Sequence, residues 1–338
     1  MSGKQVTLVV WFAGLCVVVG LVGWSGADLV GQAVISAGWA VPLVVLVRIG
    51  AVGGAGVGWW LLFPPRLRPS FWLCALLRFV REAANALLPV AQIGGDLVGA
   101  RCLVLRGSKA TVAAASVVVD VLFQATTQLV FAIAGLVLLV DVDGSGVVIW
   151  TVALGIAIAI PALGGFFLAQ RHAGQRLLKW LLSLLAGGRE WRIFGAIDEL
   201  FAQLNNFYAY RQGLIRSFAC HLAMWFFGAL EVWVVLSFMG YPVTFAEAVV
   251  IESLMHAVRG AAFAVPGALG AQEGGLIVLC AIFGVPPEAA LALSLVKRIP
   301  DIVIGVPGLV AWQALEGWHF RGAGRHAVAA KMSGSDAV

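Results

Sequence analysis

The feature that most restricts this chain is a series of long apolar runs, each close to a bilayer in length and nearly empty of charge. A helix needs about 20 predominantly apolar residues to cross the hydrocarbon. Six stretches qualify: Val6–Gly23, Trp39–Phe63, Ala110–Val140, Val147–Ala169, Phe218–Met239 and Pro287–Trp312. No soluble core has room for them. The 338 residues are 61% hydrophobic and 12% charged, with a mean hydropathy of +0.98, whereas soluble domains are roughly half apolar and a quarter charged. Such continuous runs also exclude an outer-membrane barrel, whose strands alternate polar and apolar residues over about ten positions. The chain reads as an all-α integral membrane protein. Its first run is long and lacks a small-x-small cleavage site, so it is expected to be a retained span rather than a signal peptide.

Orientation follows from Lys and Arg, which collect in cytoplasmic loops. Lys4, Arg66, Arg68, Arg101, Arg106 and Lys109, the set from Arg171 to Arg216, and Arg321, Arg325 and Lys331 would share one face. The loops 24–38, 141–146, 240–246 and 284–287 carry no Lys or Arg. A multi-pass protein of a bacterial inner membrane is expected, with both termini cytoplasmic.

That topology requires two further hydrophobic regions, about 70–107 and 245–285, to enter and leave on the same side. Each is broken by Pro and Gly: Pro89, Gly94 and Gly95 in the first, Pro266, Gly267 and Gly270 in the second. Pro removes a backbone donor and Gly loosens the helix, so these are natural apices of re-entrant helical hairpins. At one constant offset Pro89 falls on Pro266, Asp96 on Glu273, Gly107 on Gly284, Ala113 on Ala290 and Asp120 on Lys297. The two hairpin regions, within repeat cores 70–140 and 245–312, are separated by three expected spans, which inverts one relative to the other. Inverted repeats with interrupted helices meeting near the midplane are a transporter plan. Residues 1–318 thus read as one transmembrane domain. Within it, 170–217 reads as a cytoplasmic interfacial segment, with Trp180, Phe201, Phe207 and Tyr208 at headgroup depth. Residues 319–338 read as a flexible tail.

Ionisable residues inside a bilayer are costly unless paired or hydrated, so each marks a site. Arg78, Glu82 and Asn85 share a helical face at spacings of four and three, with Arg81 beside them. Glu252, His256 and Arg259 repeat that spacing in the second half. Under the overlay Glu82 meets Arg259 and Asp96 meets Glu273, which would gather opposite charges around one cavity. A network that merely locks the hairpins remains the alternative. Asp120, Gln124 and Gln128 form a polar stripe, Lys297 and Asp301 are spaced to pair with each other, and Arg48 stands isolated in its span.

Five scattered cysteines show no paired or metal-ligand spacing. No nucleotide loop, zinc-protease helix or serine elbow is present. The basic residues sit in short loops, which gives nucleic-acid binding no platform. Neither a metal nor a cofactor is expected.

Arg81-Glu-Ala-Ala-Asn85 with Leu88-Pro89, Gly94-Gly-Asp96, and Val265-Pro-Gly-Ala-Leu-Gly-Ala-Gln-Glu273-Gly with Lys297-Arg298 downstream resemble the transmembrane, flippase-like region of the lysylphosphatidylglycerol synthase family over about residues 5–315. Ala268 stands where that family's pattern has glycine. The string Leu88 to Arg101 is similar to the hopanoid-biosynthesis-associated, HpnL-like branch. The resemblance implies lipid translocation through the hairpin region, with a hopanoid as first substrate and a phospholipid as the other. The family's full-length synthases carry a soluble aminoacyl-transfer domain of which this sequence shows no counterpart, so aminoacylation is not expected. The expected function is a flippase-like transporter, not an enzyme. A polar cavity lined by Glu82, Asn85, Asp96, Arg259 and Glu273 would take the headgroup, and Asp96 or Glu273 would carry a coupling proton. A scaffold for lipid-biosynthesis enzymes and a membrane-embedded enzyme remain open, and the sequence sets no oligomeric state.

Overall fold

The computed structural model describes residues 35–88, 94–142, 190–261 and 270–333, with isolated positions at 28, 32, 150, 154, 157, 160, 161, 164, 165, 167, 168, 170, 175, 176 and 268. The expected spans Val6–Gly23 and Val147–Ala169, and the apex residues Pro89, Pro266 and Gly267, lie outside the described set or touch it at single positions. Every described element is helical: α1 (Ala40–Leu62), α2 (Phe71–Leu87), α3 (Gly94–Leu105), α4 (Ala110–Val142), α5 (Glu190–Ala209), α6 (Arg211–Gly228), α7 (Leu230–Phe238), α8 (Phe245–Ala261), α9 (Ala271–Ile282) and α10 (Pro287–Ser333).

Among the described residues three stretches are long and apolar enough to cross a bilayer: Ala40–Leu62, Ala110–Val140, and Arg211–Phe238, in which α6 runs into α7. At 1.5 Å per residue, 23 residues reach about 35 Å, more than the roughly 30 Å of hydrocarbon. Pro64 and Pro65 follow α1 at once, and neither can continue its hydrogen-bond ladder. The chain is a multi-pass membrane protein. Large apolar side chains are exposed on α1, α4 and α10, Leu46, Val137, Val306 and Val310 among them.

The internal repeat acquires a geometric meaning. α2 and α8 are each 17 residues long, and α3 and α9 are each 12. Both short helices end on a left-handed glycine, Gly107 at φ +95° and Gly284 at φ +71°. Ser108 N donates to the Leu103 carbonyl at 3.1 Å, as Val285 N does to Cys280 at 3.1 Å. This is the helix stop that a residue without Cβ permits. None of these four helices reaches the about 20 residues needed to span.

α1 joins two cores. Its first turns put Ala40 and Val44 among Val235, Ile251, Leu276 and Leu293, from the second repeat and α7. Its last turns put Trp59 and Leu62 among Leu77, Leu103 and Ala113 of the first repeat and Phe201 and Phe207 of α5. Phe63, just past α1, meets Phe207 edge-on at 5.4 Å. In α5, Ile197, Phe201, Leu204 and Phe207 form a helically spaced buried stripe. Phe201 and Phe207 therefore pack in a protein core. A hydrophobic stripe beside charges looks the same whether lipid or protein covers it. α6 begins at Arg211, and α10 passes Pro300 and Pro307 and runs to Ser333. Alanines at 327, 329 and 330 favour that continuation.

Candidate functional site

The embedded charges form two networks and one separate pair. The first is centred on Arg81, whose side chain is 1% exposed. Its Nε and Nη2 donate to Asp96 Oδ1 at 2.9 and 2.5 Å, and its Nη1 donates to Asp120 Oδ2 at 2.7 Å. Its guanidinium also lies over the Trp59 ring, 4.6 Å from the centroid. One fork thus ties α2 to α3 and α4 while α1 supplies the aromatic face. Asp120 is shared further: Gln124 Nε2 donates to it at 2.6 Å, and His221 Nε2 lies 3.1 Å from its other oxygen. Arg78 donates to Gln124 Oε1 at 2.7 Å and stands 3.7 Å from Glu82.

Local structure holds this arrangement. Asn85 Oδ1 accepts from Gly95 N at 2.8 Å, satisfying a first-turn donor of α3, and Asp96 in that turn complements the helix dipole. A Cβ on Gly95 would run into the Arg81 carbonyl and the Asn85 side chain, and one on Gly99 into the Arg81 stem. We therefore expect Gly95→Val to force α3 off α2 at a cost of about 1–3 kcal/mol. The check is thermal melting in detergent by size-exclusion fluorescence; an unshifted melt would contradict the packing.

The second network runs through α1, α7, α8 and α10. Arg48 grips Glu231 with two nitrogens at 2.6 and 2.7 Å and reaches Asp301 at 3.1 Å. Lys297 donates to Glu252 at 2.5 Å and lies 3.5 Å from Glu231. His256 Nε2 is 3.2 Å from the other Glu252 oxygen. The separate pair joins α9 to α10. Arg298 donates to Glu273 Oε1 at 2.7 and 3.1 Å, and the Ser294 hydroxyl donates to the same oxygen at 3.0 Å. Glu273 Oε2 accepts from Gly270 N at 2.7 Å and so closes the α9 N-terminus, as Asn85 does for α3.

The residues singled out by sequence are thus mostly engaged, but not around one cavity. Lys297 and Asp301 do not pair with each other: Lys297 turns to Glu252 and Glu231, and Asp301 turns to Arg48. Buried partners from other helices hold them more firmly than an exposed i, i+4 contact would. Glu82 pairs with Arg78 and not with Arg259, and Arg259 has no hydrogen bond or ion pair among the described residues. Asp96 and Glu273 are locked in separate arginine pairs. Glu82 instead lines a crevice with Arg48, Asp301, Pro300 and Gly305, whose cavity volume of about 10 Å³ has room for about one water. Small-molecule sites are far larger, roughly 300–1,000 Å³.

Two titratable participants escaped the sequence reading. Glu231 lies within an expected span, where any acid is a signal, and His221 precedes it on the same span. Arg48 was visible, but its partners, 183 and 253 residues away, were not.

A family model described as the lysylphosphatidylglycerol synthase TM region matches residues 11–308. A UPF0104 membrane protein of Methanothermobacter thermautotrophicus is 27% identical over 240 residues, covering 65% of this chain and 68% of that protein. No solved structure matches the chain.

Proposed function

Because the chain belongs to the lysylphosphatidylglycerol synthase transmembrane family, we propose that it moves a lipid headgroup across a bacterial inner membrane as a flippase-like transporter rather than an enzyme. One observation carries this reading: paired charges lie between short, interrupted helices of an internal repeat. A bilayer tolerates such charges where protein partners enclose them, and transporter sites are built there. α2–α3 and α8–α9 are the two re-entrant hairpins, oppositely inserted, with both termini cytoplasmic. The crevice is the closed form of the path, and the headgroup passes when the α2–α10 seam widens. The lipid body stays in hydrocarbon, which suits a hopanoid or related lipid, with a phospholipid as the other candidate. Membrane lipids are the partners, and lipid-biosynthesis enzymes the suppliers.

The test is reconstitution into phosphatidylethanolamine–phosphatidylglycerol vesicles carrying acyl-NBD phosphatidylglycerol, or a hopanoid with a labelled headgroup, with dithionite reading leaflet exposure. Loss of the protected fraction is expected. Asp96→Asn and Glu273→Gln should each slow it several-fold, more than they reduce folded yield. Vesicles that stay protected with every probe would sink the transporter reading. In a hopanoid-making host, deletion should redistribute hopanoids between membranes. Lost synthesis would favour an enzyme.

A further inference from the structure

The two networks do not balance. Their fixed cations are Arg48, Arg78, Arg81 and Lys297. The first network holds Glu82, Asp96 and Asp120, and the second holds Glu231, Glu252 and Asp301. Four ion-paired cations thus face six carboxylates, and counting Arg259, which lies near His256, leaves five against six, while Glu273 and Arg298 neutralise each other. Excess negative charge is expensive away from water, so this arrangement favours taking up protons. His221 and His256 each offer one position, but both are already held against a carboxylate.

Among the described embedded carboxylates, Glu82 differs from the rest. Asp96, Asp120, Glu231, Glu252, Glu273 and Asp301 each have a cation nitrogen within 3.1 Å. Glu82 has a single cation at 3.7 Å, one turn back on its own helix, and no hydrogen bond; its side chain is 33% exposed. Its neighbour Arg78 is under-engaged too, with one hydrogen bond, to Gln124, and a buried Nε without a partner. The crevice opens beside Glu82, which faces Arg78 from its own helix, Arg48 from α1 and Asp301 from α10. Asp120 of α4 stands behind Arg78 at 3.6 Å.

We propose that Glu82, at the crevice between α2 and α10, is the carboxylate that takes up and releases the coupling proton of transport. This rests on the transporter reading and replaces Asp96 and Glu273 as proton carriers, because both are fastened to arginines. A proton from water in the crevice binds a Glu82 oxygen, cancels one negative charge and later leaves to water. With Glu82 neutral, its attraction to Arg78 and Arg48 ends, and the spare donors of Arg78 are left for an acceptor oxygen of the entering headgroup. The surrounding seam is closely packed through glycines, with Gly308 against Ala83 and the Phe79 backbone and Gly305 against Leu87.

The test compares wild type with Glu82→Gln, both in lipid nanodiscs and in the vesicles described above. Infrared difference spectra between acidic and alkaline buffer should show a protonated-carboxyl carbonyl component in wild type that is missing from the Glu82→Gln spectrum when the two are subtracted. Identical carboxyl bands in wild type and Glu82→Gln overturn the proposal. In vesicles, wild-type translocation of acyl-NBD phosphatidylglycerol should rise several-fold with an imposed pH gradient, while Glu82→Gln should be indifferent to it. Gradient-independent wild-type transport overturns the proton role and leaves the transporter reading standing. Absent transport sinks that reading and the coupling role with it, whatever the infrared result. Should Glu82→Gln not fold, Glu82→Asp replaces it: a shifted carboxyl band supports the assignment, and an unshifted one overturns it.

Discussion

Arg81→Ala is expected to remove most of the folded protein from detergent extracts, at a cost of about 3–5 kcal/mol. The guanidinium is 1% exposed and sits between Asp96 and Asp120. Deleting it leaves Asp96 without its ion-pair partner and Asp120 with only the more distant Arg78 at 3.6 Å, and it also strips the Trp59 ring of its partner. Arg81→Lys should rescue little, because one ammonium cannot reproduce a fork that reaches two helices. The combination Arg81→Met, Asp96→Asn, Asp120→Asn should recover most of the loss, since replacing a whole buried ionic cluster by neutral groups of similar volume is often near neutral. Size-exclusion fluorescence after heating reads all three. An Arg81→Ala protein that melts with wild type would show that the network bears no weight in the fold.

Lys297→Met should be comparably damaging, for a different set of helices. The ammonium lies 2.5 Å from Glu252 and 3.5 Å from Glu231, and its side chain is 4% exposed. Without it α8 and α7 present two buried acids to α10, again a loss of about 3–5 kcal/mol. Adding Glu252→Gln should return a large part of that stability by removing the stranded charge, whereas Glu252→Gln alone should be the milder change. A double-mutant cycle measures the coupling. Additive effects would mean that Lys297 and Glu252 act independently and that the second network is not a unit.

The repeat was readable because its marks are local. A glycine that must take positive φ, a proline that cannot donate and an acid in the first turn of a helix leave the same trace wherever the chain goes. Gly107 with Gly284 and Asp96 with Glu273 therefore fell into register from sequence alone, and the helix ends agree with them. The partners did not. Asp120 and Lys297 occupy equivalent positions with opposite charge, yet Asp120 finds Arg81 on α2 while Lys297 finds Glu252 on α8. The repeat preserves an ion pair to the 17-residue helix of each half, α2 and α8, but not its sign or its exact register, and an overlay of residues cannot see that.

Long apolar runs and the Pro and Gly breaks determined a helical membrane protein with two interrupted regions, because each depends on the bilayer or on a single backbone position. Which charges meet depended on tertiary structure. Arg48 is isolated along the sequence and becomes a hub only because α1 passes between α7 and α10. The Phe201 and Phe207 stripe is equally suited to lipid or to Phe63 until the fold chooses. In a medium of low dielectric, the energy of a charge is set by the few groups within hydrogen-bond distance, and in these networks most of those groups come from distant parts of the chain.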